Sequence, residues 1–292
     1  MHQFLVLTLD GVSAGMVYAA LALALVLIWR ATRIVNFAQG AMAMFTTFIS
    51  LSVIEKTGSY WLGFGAALLA GLVLGAVVER LLIRRVASGP PLNAVILTLG
   101  LLLFLQAIVP MIYGGQIRSF PPALSFIGID VGNTRIPYSP FDIFTLASVL
   151  LTMALLYGLF RFTSVGLQMR AAAFAPEVAR LLGVRVGRML TLGWALASMA
   201  GALAGVLVAP VVLLSPNSLD PVLVFGFTAA ILGGLDSPVG ALAGGLGLGL
   251  ALSYVGGYLG VELETAGALL ILIVLLMVRP EGIFSSIGHR RV

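Results

Sequence analysis

Residues 11–15 read GVSAG, the G-x-S-x-G spacing that exposes a nucleophilic serine where a strand turns sharply into a helix. That chemistry needs a histidine to take the serine proton and a carboxylate to orient the ring, yet the two histidines, His2 and His289, stand at opposite ends of the chain. Ser13 therefore reads as a small residue packed inside a helix. The same separation leaves no histidine-based metal site, and the absence of cysteine removes thiolate ligands, thiol nucleophiles and disulfides. The single lysine, Lys56, follows Glu55, so the chain has no G-x-x-x-x-G-K-[ST] phosphate loop and holds no ATP through one of its own. No catalytic residue, metal or cofactor is expected. The polarity inside the apolar stretches is uncharged: Asn36, Gln39, Asn93, Thr98, Gln106, Thr191, Ser198, Thr228 and Ser253. Any one of them can serve as a hydrogen bond between helices. A subset, Asn36, Gln39, Asn93, Thr98, Gln106 and Thr228, is expected to line a path for a small solute.

The elements that must position these groups are membrane helices. Hydrophobic residues make up 60% of the chain and charged residues 9%, with a mean hydropathy of +1.13, against roughly 25% charged in soluble domains. Apolar runs recur at 9–29, 37–54, 60–83, 92–113, 141–160, 190–214, 222–235, 240–258 and 263–278, most of them near the ~20 residues that a spanning helix needs. The fold class is an all-α polytopic membrane protein, a single transmembrane domain over 1–292 with about eight or nine crossings. Two runs are irregular. The run at 37–54 is preceded by polar Asn36, and 222–235 is short and ends in GGLDSPVG. Either can be broken or re-entrant, which is tolerated where protein or a wet path covers the backbone. The first run carries Asp10 and lacks a basic start, so it is expected to be a retained span.

Arginine sets the orientation and accounts for the net charge of +5, so the basicity calls for no nucleic acid. Arg30 and Arg33, then Arg80, Arg84 and Arg85, then Arg161 to Arg188, and Arg279 with Arg290 and Arg291 follow alternate runs. These ends are expected to be cytoplasmic. The interior has no charge far from an interface, Asp10 and Glu79 coming nearest, so an internal proton relay or ion site is not indicated. GxxxG spacing occurs at Gly11/Gly15, Gly71/Gly75, Gly201/Gly205 and Gly240/Gly244. In a glycine-rich chain such pairs arise by composition, as does the twofold occurrence of GALAG.

One stretch does not fit a plain bundle. RAAAFAPEVARLLGVRVGR, residues 170–188, threads Arg170, Arg180, Arg185 and Arg188 through a segment too short to cross. Pro176 suits the first helical position and Glu177 the positive helix end. Val178, Leu181 and Leu182 share a face at i, i+3, i+4 with Arg180 off it, and Gly183 supplies a stop. A helix of about two turns, roughly 10 Å long, follows. On physical grounds it either lies on lipid headgroups or docks into a partner's groove.

TLDGVSAGMVYAALALALVLIWRATRIVNFAQGAMAMF (8–45), LNAVILTLGLLLFLQAIVPMIYG (92–114), GLQMRAAAFAPEVARLLGVRV (166–186), GGLDSPVGALAGG (233–245) and VRPEGIF (278–284) resemble, in that order, the inner-membrane permeases of branched-chain amino acid ABC importers. The resemblance covers nearly the whole chain. It implies that the segment around 166–188 is the coupling helix that docks on the ATPase, with Arg170, Ala172, Glu177, Val178, Arg180, Leu181, Leu182 and Gly183 at the contact. The segment departs from the EAA---G spacing of many ABC permeases. The resemblance further implies a multi-pass protein of the bacterial inner membrane, a second homologous permease subunit, two cytosolic ATP-binding subunits and a periplasmic substrate-binding protein. The implied solute is leucine, isoleucine or valine, with urea or short amides carried by close relatives. An autonomous channel or ion-coupled carrier is the alternative.

The arginine pattern places residue 1 outside and residue 292 inside the cytoplasm. In this cysteine-free chain, Ser125→Cys is expected to react with an impermeant thiol reagent applied to intact cells and Ser286→Cys only after permeabilisation. Labelling of Ser286→Cys from outside would refute the topology.

Overall fold

Inside hydrocarbon each backbone N–H and C=O must find its partner within the protein, and a helix does this within one segment. The runs of Leu, Ala, Val and Gly accordingly form helices in the computed structural model, which describes residues 2–86, 89–131, 134–136, 138–279 and 282–283. In chain order these are α1 (His2–Thr32), α2 (Gln39–Thr57) and α3 (Tyr60–Val78), which runs on through a π-helical turn (Glu79–Ile83) into α4 (Arg84–Val86). Next come α5 (Pro91–Tyr113), the strands β1 (Ile129–Val131) and β2 (Thr134–Ile136), and α6 (Pro140–Phe162). Two shorter helices, α7 (Ser164–Phe174) and α8 (Pro176–Leu181), precede α9 (Val186–Val208), α10 (Asp220–Gly233), α11 (Pro238–Tyr258) and α12 (Leu263–Val278). The strands form a small antiparallel hairpin, Ile129 opposite Ile136, in the polar interval between α5 and α6.

Among the described residues, six helices are long and apolar enough to cross a bilayer: Gln3–Thr32, Tyr60–Val86, Leu92–Tyr113, Pro140–Phe162, Val186–Val208 and Pro238–Tyr258. The two runs that read as irregular fall outside this set. α2 starts only after an elbow at residues 33–38, where Arg33 adopts φ 57°. α10 has 14 residues, about 21 Å, less than the ~30 Å hydrocarbon layer. The irregular segment ahead of it is covered by protein: Leu214 exchanges backbone hydrogen bonds with Arg118, at 2.9 and 3.0 Å, and is fully buried. Asp220, at the start of α10, meets Gln106 of α5, seven residues before that helix ends, so α10 begins about 10 Å below the end of its neighbour. α12, with 16 residues, is also short.

Burial sorts the helices into a centre and a rim. The apolar windows of α1 and α9 are 83% and 78% buried, those of α5 and α6 only 22% and 17%. A helix that is apolar all round belongs inside. The stretch Met16–Ile28 meets that condition on every side, so α1 is wrapped by α6, α9, α10 and α11. Small residues let the backbones close on one another. A Cβ at Gly15 of α1 would stand 2.8 Å from the Gly245 carbonyl of α11, and one at Gly71 of α3 would stand 2.8 Å from the Ser198 carbonyl of α9. Gly205 meets Ala43 and Thr47 of α2, and Gly244 of α11 meets the Ala229 carbonyl of α10. The pairs Gly11/Gly15, Gly71/Gly75, Gly201/Gly205 and Gly240/Gly244 thus all lie at helix crossings, where composition alone had been the simpler reading.

The helix ends form two contrasting layers. One gathers Arg30, Arg33, Arg84, Arg161 and Arg170, with Arg33 paired to Asp236 ahead of α11. The other carries Asp10, Glu55, Asp142, Glu262 and Glu264 beside Lys56 and Arg118. The terminal Arg290, Arg291 and His289, and Pro280, Glu281 and Phe284 of RPEGIF, lie outside the described residues. Ile283 is within them, and its backbone N–H donates to the Leu232 carbonyl of α10 at 3.0 Å.

Gly245→Val would push a side chain into the Ala19 backbone of α1, whereas Gly100 of α5 has nothing within 4 Å. Overpacking of a close crossing is expected to cost about 1–3 kcal/mol. Melting of the purified protein in detergent should fall clearly for Gly245→Val and stay within error for Gly100→Val.

Candidate functional site

The segment after α6 is built by local signals. The Thr163 hydroxyl accepts from the Gly166 N–H at 3.0 Å and caps α7. Gly166 packs directly on the last turn of α6, against the Leu159 and Phe160 backbone, so the chain doubles back sharply. α7 breaks at Ala175, and Pro176 opens α8 at its first position with Glu177 in the first turn. The end of α8 is doubly closed: Gly183 N–H donates to Arg180 O at 3.0 Å and Val184 N–H to Ala179 O at 2.9 Å. With Gly183 at φ 83°, this is a Schellman stop. Residues on one side of the pair are small and buried: Ala172, Ala179 and Val186 form a cluster with Ala171, Val184, Met189 and Leu190 at the start of α9. The fold therefore ties α7 and α8 rigidly to α9.

The other side is apolar and open. Leu181 is 88% exposed, Leu182 79% and Phe174 87%, with Val178 and Leu167 also largely exposed. Of the residues expected at this contact, Glu177, Val178, Arg180, Leu181, Leu182 and Gly183 share the open surface, while Ala172 serves the buried face. Arg170 is exposed and lines a hollow of about 360 Å³ with Arg30, Arg33 and Phe174. Sequence reasoning missed α7 and the apolar contribution of Leu167 and Phe174. The available signal was Thr163 three residues ahead of Gly166 after an apolar run.

The residues expected along a solute path are scattered. Asn36 and Gln39 are fully buried in the elbow between α1 and α2. The Asn36 amide donates to Gln39 Oε1 at 2.9 Å, and Gln39 Nε2 donates to the Ala197 carbonyl of α9 at 3.3 Å. Thr98 and Thr228 are buried and donate to the carbonyls of their own helices, Val95 and Val224. Asn93 is exposed at the start of α5. Gln106 donates to both carboxylate oxygens of Asp220, at 2.9 and 3.0 Å, and so joins α5 to α10.

An ion pair between a buried carboxylate and a half-exposed arginine, which the sequence did not announce, sits beside the α7–α8 segment. Glu79, 1% exposed in the π-helical turn, accepts from Arg84 Nε at 3.1 Å and Nη2 at 2.8 Å, and from the Thr191 hydroxyl at 2.6 Å. Arg84 also donates to the Gly187 carbonyl at 2.7 Å. The end of α3 is thereby locked to the first turn of α9, a few residues after α8. Charge inside a helical layer is costly unless paired. The pair here is complete.

Several helices able to span a bilayer, packed around a buried α1, make this a polytopic α-helical membrane protein. The chain belongs to the branched-chain amino acid transport system / permease component family, whose model matches residues 7–278. It is 30% identical to the high-affinity branched-chain amino acid transport system permease protein LivH of Salmonella typhimurium, over 96% of this chain and 95% of that one. It is 26% identical to the permease protein BraD of Pseudomonas aeruginosa, over 97% and 96%. Among solved structures, PsaBC from Streptococcus pneumoniae in complex with Fab shares the fold, with a TM-score of 0.52 and 12% identity over 96% of this chain and 93% of that one.

Arg84→Ala leaves the buried Glu79 carboxylate with the Thr191 hydroxyl as its remaining side-chain partner. With Arg84 itself half-exposed, the expected loss is about 1–2 kcal/mol, read by unfolding in mixed micelles. Glu79→Gln/Arg84→Ala should lose less than Arg84→Ala alone, since no uncompensated charge remains.

Proposed function

We propose that this chain is the membrane-spanning permease subunit of an ATP-driven, binding-protein-dependent importer in the bacterial inner membrane. It supplies half of the translocation path for leucine, isoleucine or valine. A second homologous permease subunit completes the path, two cytosolic ATP-binding subunits supply the motion, and a periplasmic binding protein delivers the solute. The supporting observation is the geometry of α7 and α8: a doubly capped helix, anchored by alanines to α9, that presents Leu181 and Leu182 outward at the basic end. The names of the relatives that align over nearly their whole length support the solute class.

Mechanically, a pull on α8 travels into α9 because the Schellman stop and the Ala172–Ala179–Val186 cluster leave no slack. α9 in turn packs on α1, α2 and α3, and the Glu79–Arg84 lock holds α3 to it. A local displacement then shifts one packed arrangement of helices to another, which is how alternating access is driven.

The test is ATPase stimulation in the reconstituted complex when loaded binding protein arrives, with assembly followed by co-purification. Leu181→Ala/Leu182→Ala removes up to roughly 1.5–3 kcal/mol of burial per side chain, so stimulation and assembly should both fall. Gly183→Val should also impair coupling, because a side chain resists φ 83°. A helix lying on lipid would instead depend on its arginines, and full stimulation in the double leucine variant would refute the coupling reading.

A further inference from the structure

At the arginine end, the hollow that Arg30, Arg33, Arg170 and Phe174 line adjoins a second of about 370 Å³, and Leu27, Arg30, Phe160 and Arg170 belong to both walls. The second hollow adds Arg161. Among the described residues no Asp or Glu lines either one. Arg33 is paired with Asp236, the acid that also acts on Arg30, so four guanidiniums face one carboxylate that is already in use. Arg30, Arg161 and Arg170 form no ion pair or side-chain hydrogen bond among the described residues. Arg30 is the costly one. It is half-buried near the end of the central helix α1, and its guanidinium carbon lies 6.0 Å from the centre of the Phe160 ring, which holds it at the hollow. A cation withdrawn this far from water calls for an anion.

The shape is independent of the charge and narrows the class of anion. α1 and α6 both run toward the arginine end, and Leu23 and Met153, on the wall of the second hollow, stand seven and eight residues before Arg30 and Arg161. The groove therefore descends about 10–12 Å into the apolar layer, past Leu27 and Leu156. Tyr157 and Val239 on the same wall are 56% and 64% exposed, so it opens sideways between α6 and α11, away from the buried α1. Val239 belongs to the first turn of α11, whose positive end adds to the arginines. A free phosphate satisfies the arginines and leaves the apolar groove bare. A neutral lipid fills the groove and leaves the arginines without a counter-charge.

We propose that this groove holds an anionic glycerophospholipid from the leaflet on the arginine side. Its phosphodiester sits among Arg30, Arg161 and Arg170, whose N–H groups match phosphate oxygens, and one acyl chain runs down past Leu27 toward Leu23 and Met153. Basic pockets between membrane helices take anionic headgroups for the same reason. The bound lipid joins α1, α6, α7 and α11, so the seating of the α7–α8 segment depends on the charge of the surrounding membrane. All the walls come from this chain, and the site holds whatever solute the chain carries.

The full chain, delipidated in dodecyl maltoside, is titrated with dioleoylphosphatidylglycerol, dioleoylphosphatidylcholine and sodium phosphate, and bound lipid is counted by native mass spectrometry. The phosphatidylglycerol is expected to bind about tenfold more tightly than the phosphatidylcholine, and a large excess of sodium phosphate should leave it bound. Arg30→Gln/Arg161→Gln should remove most of that preference. Arg85→Gln, exposed at the same end but outside both hollows, should keep it. If the double variant fails to fold, Val239→Trp, which fills the exposed edge of the groove, should weaken phosphatidylglycerol binding in its place. Equal binding of the two lipids, unchanged binding in Arg30→Gln/Arg161→Gln or in Val239→Trp, or displacement by sodium phosphate would each overturn the proposal. Loss of the lipid from the chain purified within its complete membrane assembly would also overturn it and give the groove to a protein partner.

Discussion

Lipid tails are as apolar as leucine, so apolar side chains gain little by leaving hydrocarbon for protein, and the helices must be held by closeness itself. Glycine makes that closeness possible here. Gly11 and Gly15 of α1 lie against the Gly245–Gly249 stretch of α11, Gly71 and Gly75 of α3 against α9, and Gly201 and Gly205 of α9 against α2. These contacts decide which helix is central and which is peripheral. They also decide where larger polar side chains fit, because Gln39 reaches the Ala197 carbonyl only across the bare flank of Gly201.

Charge is arranged around that scaffold in two registers. At the basic end the arginines either face outward or are tied down, as Arg84 is by Glu79 and Arg33 by Asp236. At the opposite end the carboxylates outnumber the bases and several turn toward a common cavity. The asymmetry gives the molecule an electrical direction as well as a topological one.

Much of this was legible in the sequence, and the reasons for success and failure are physical. Long apolar runs report helices through local composition, so α5, α6 and α11 were readable to within two residues, whereas α1 begins seven residues before its run and α9 ends six residues before the end of its own. α8 was readable because Pro176, Glu177 and Gly183 act on neighbouring backbone, and its stop has the expected left-handed glycine. α7 was not, since its alanines and arginine carry no periodicity that separates a helix from a polar loop. The Glu79–Thr191 bond joins residues 112 apart in the chain, and pattern reading cannot see across such a gap. For Asn36 and Gln39 the sequence offered adhesion or path lining, and the structure records two amides bonded to each other and to α9.

The open face of α7 and α8 has a consequence for the life of the polypeptide. Leu181, Leu182 and Phe174 stand almost fully uncovered along the α7–α8 segment. Wherever water rather than another surface meets them, they form an apolar step of the kind that draws partly covered chains into aggregates.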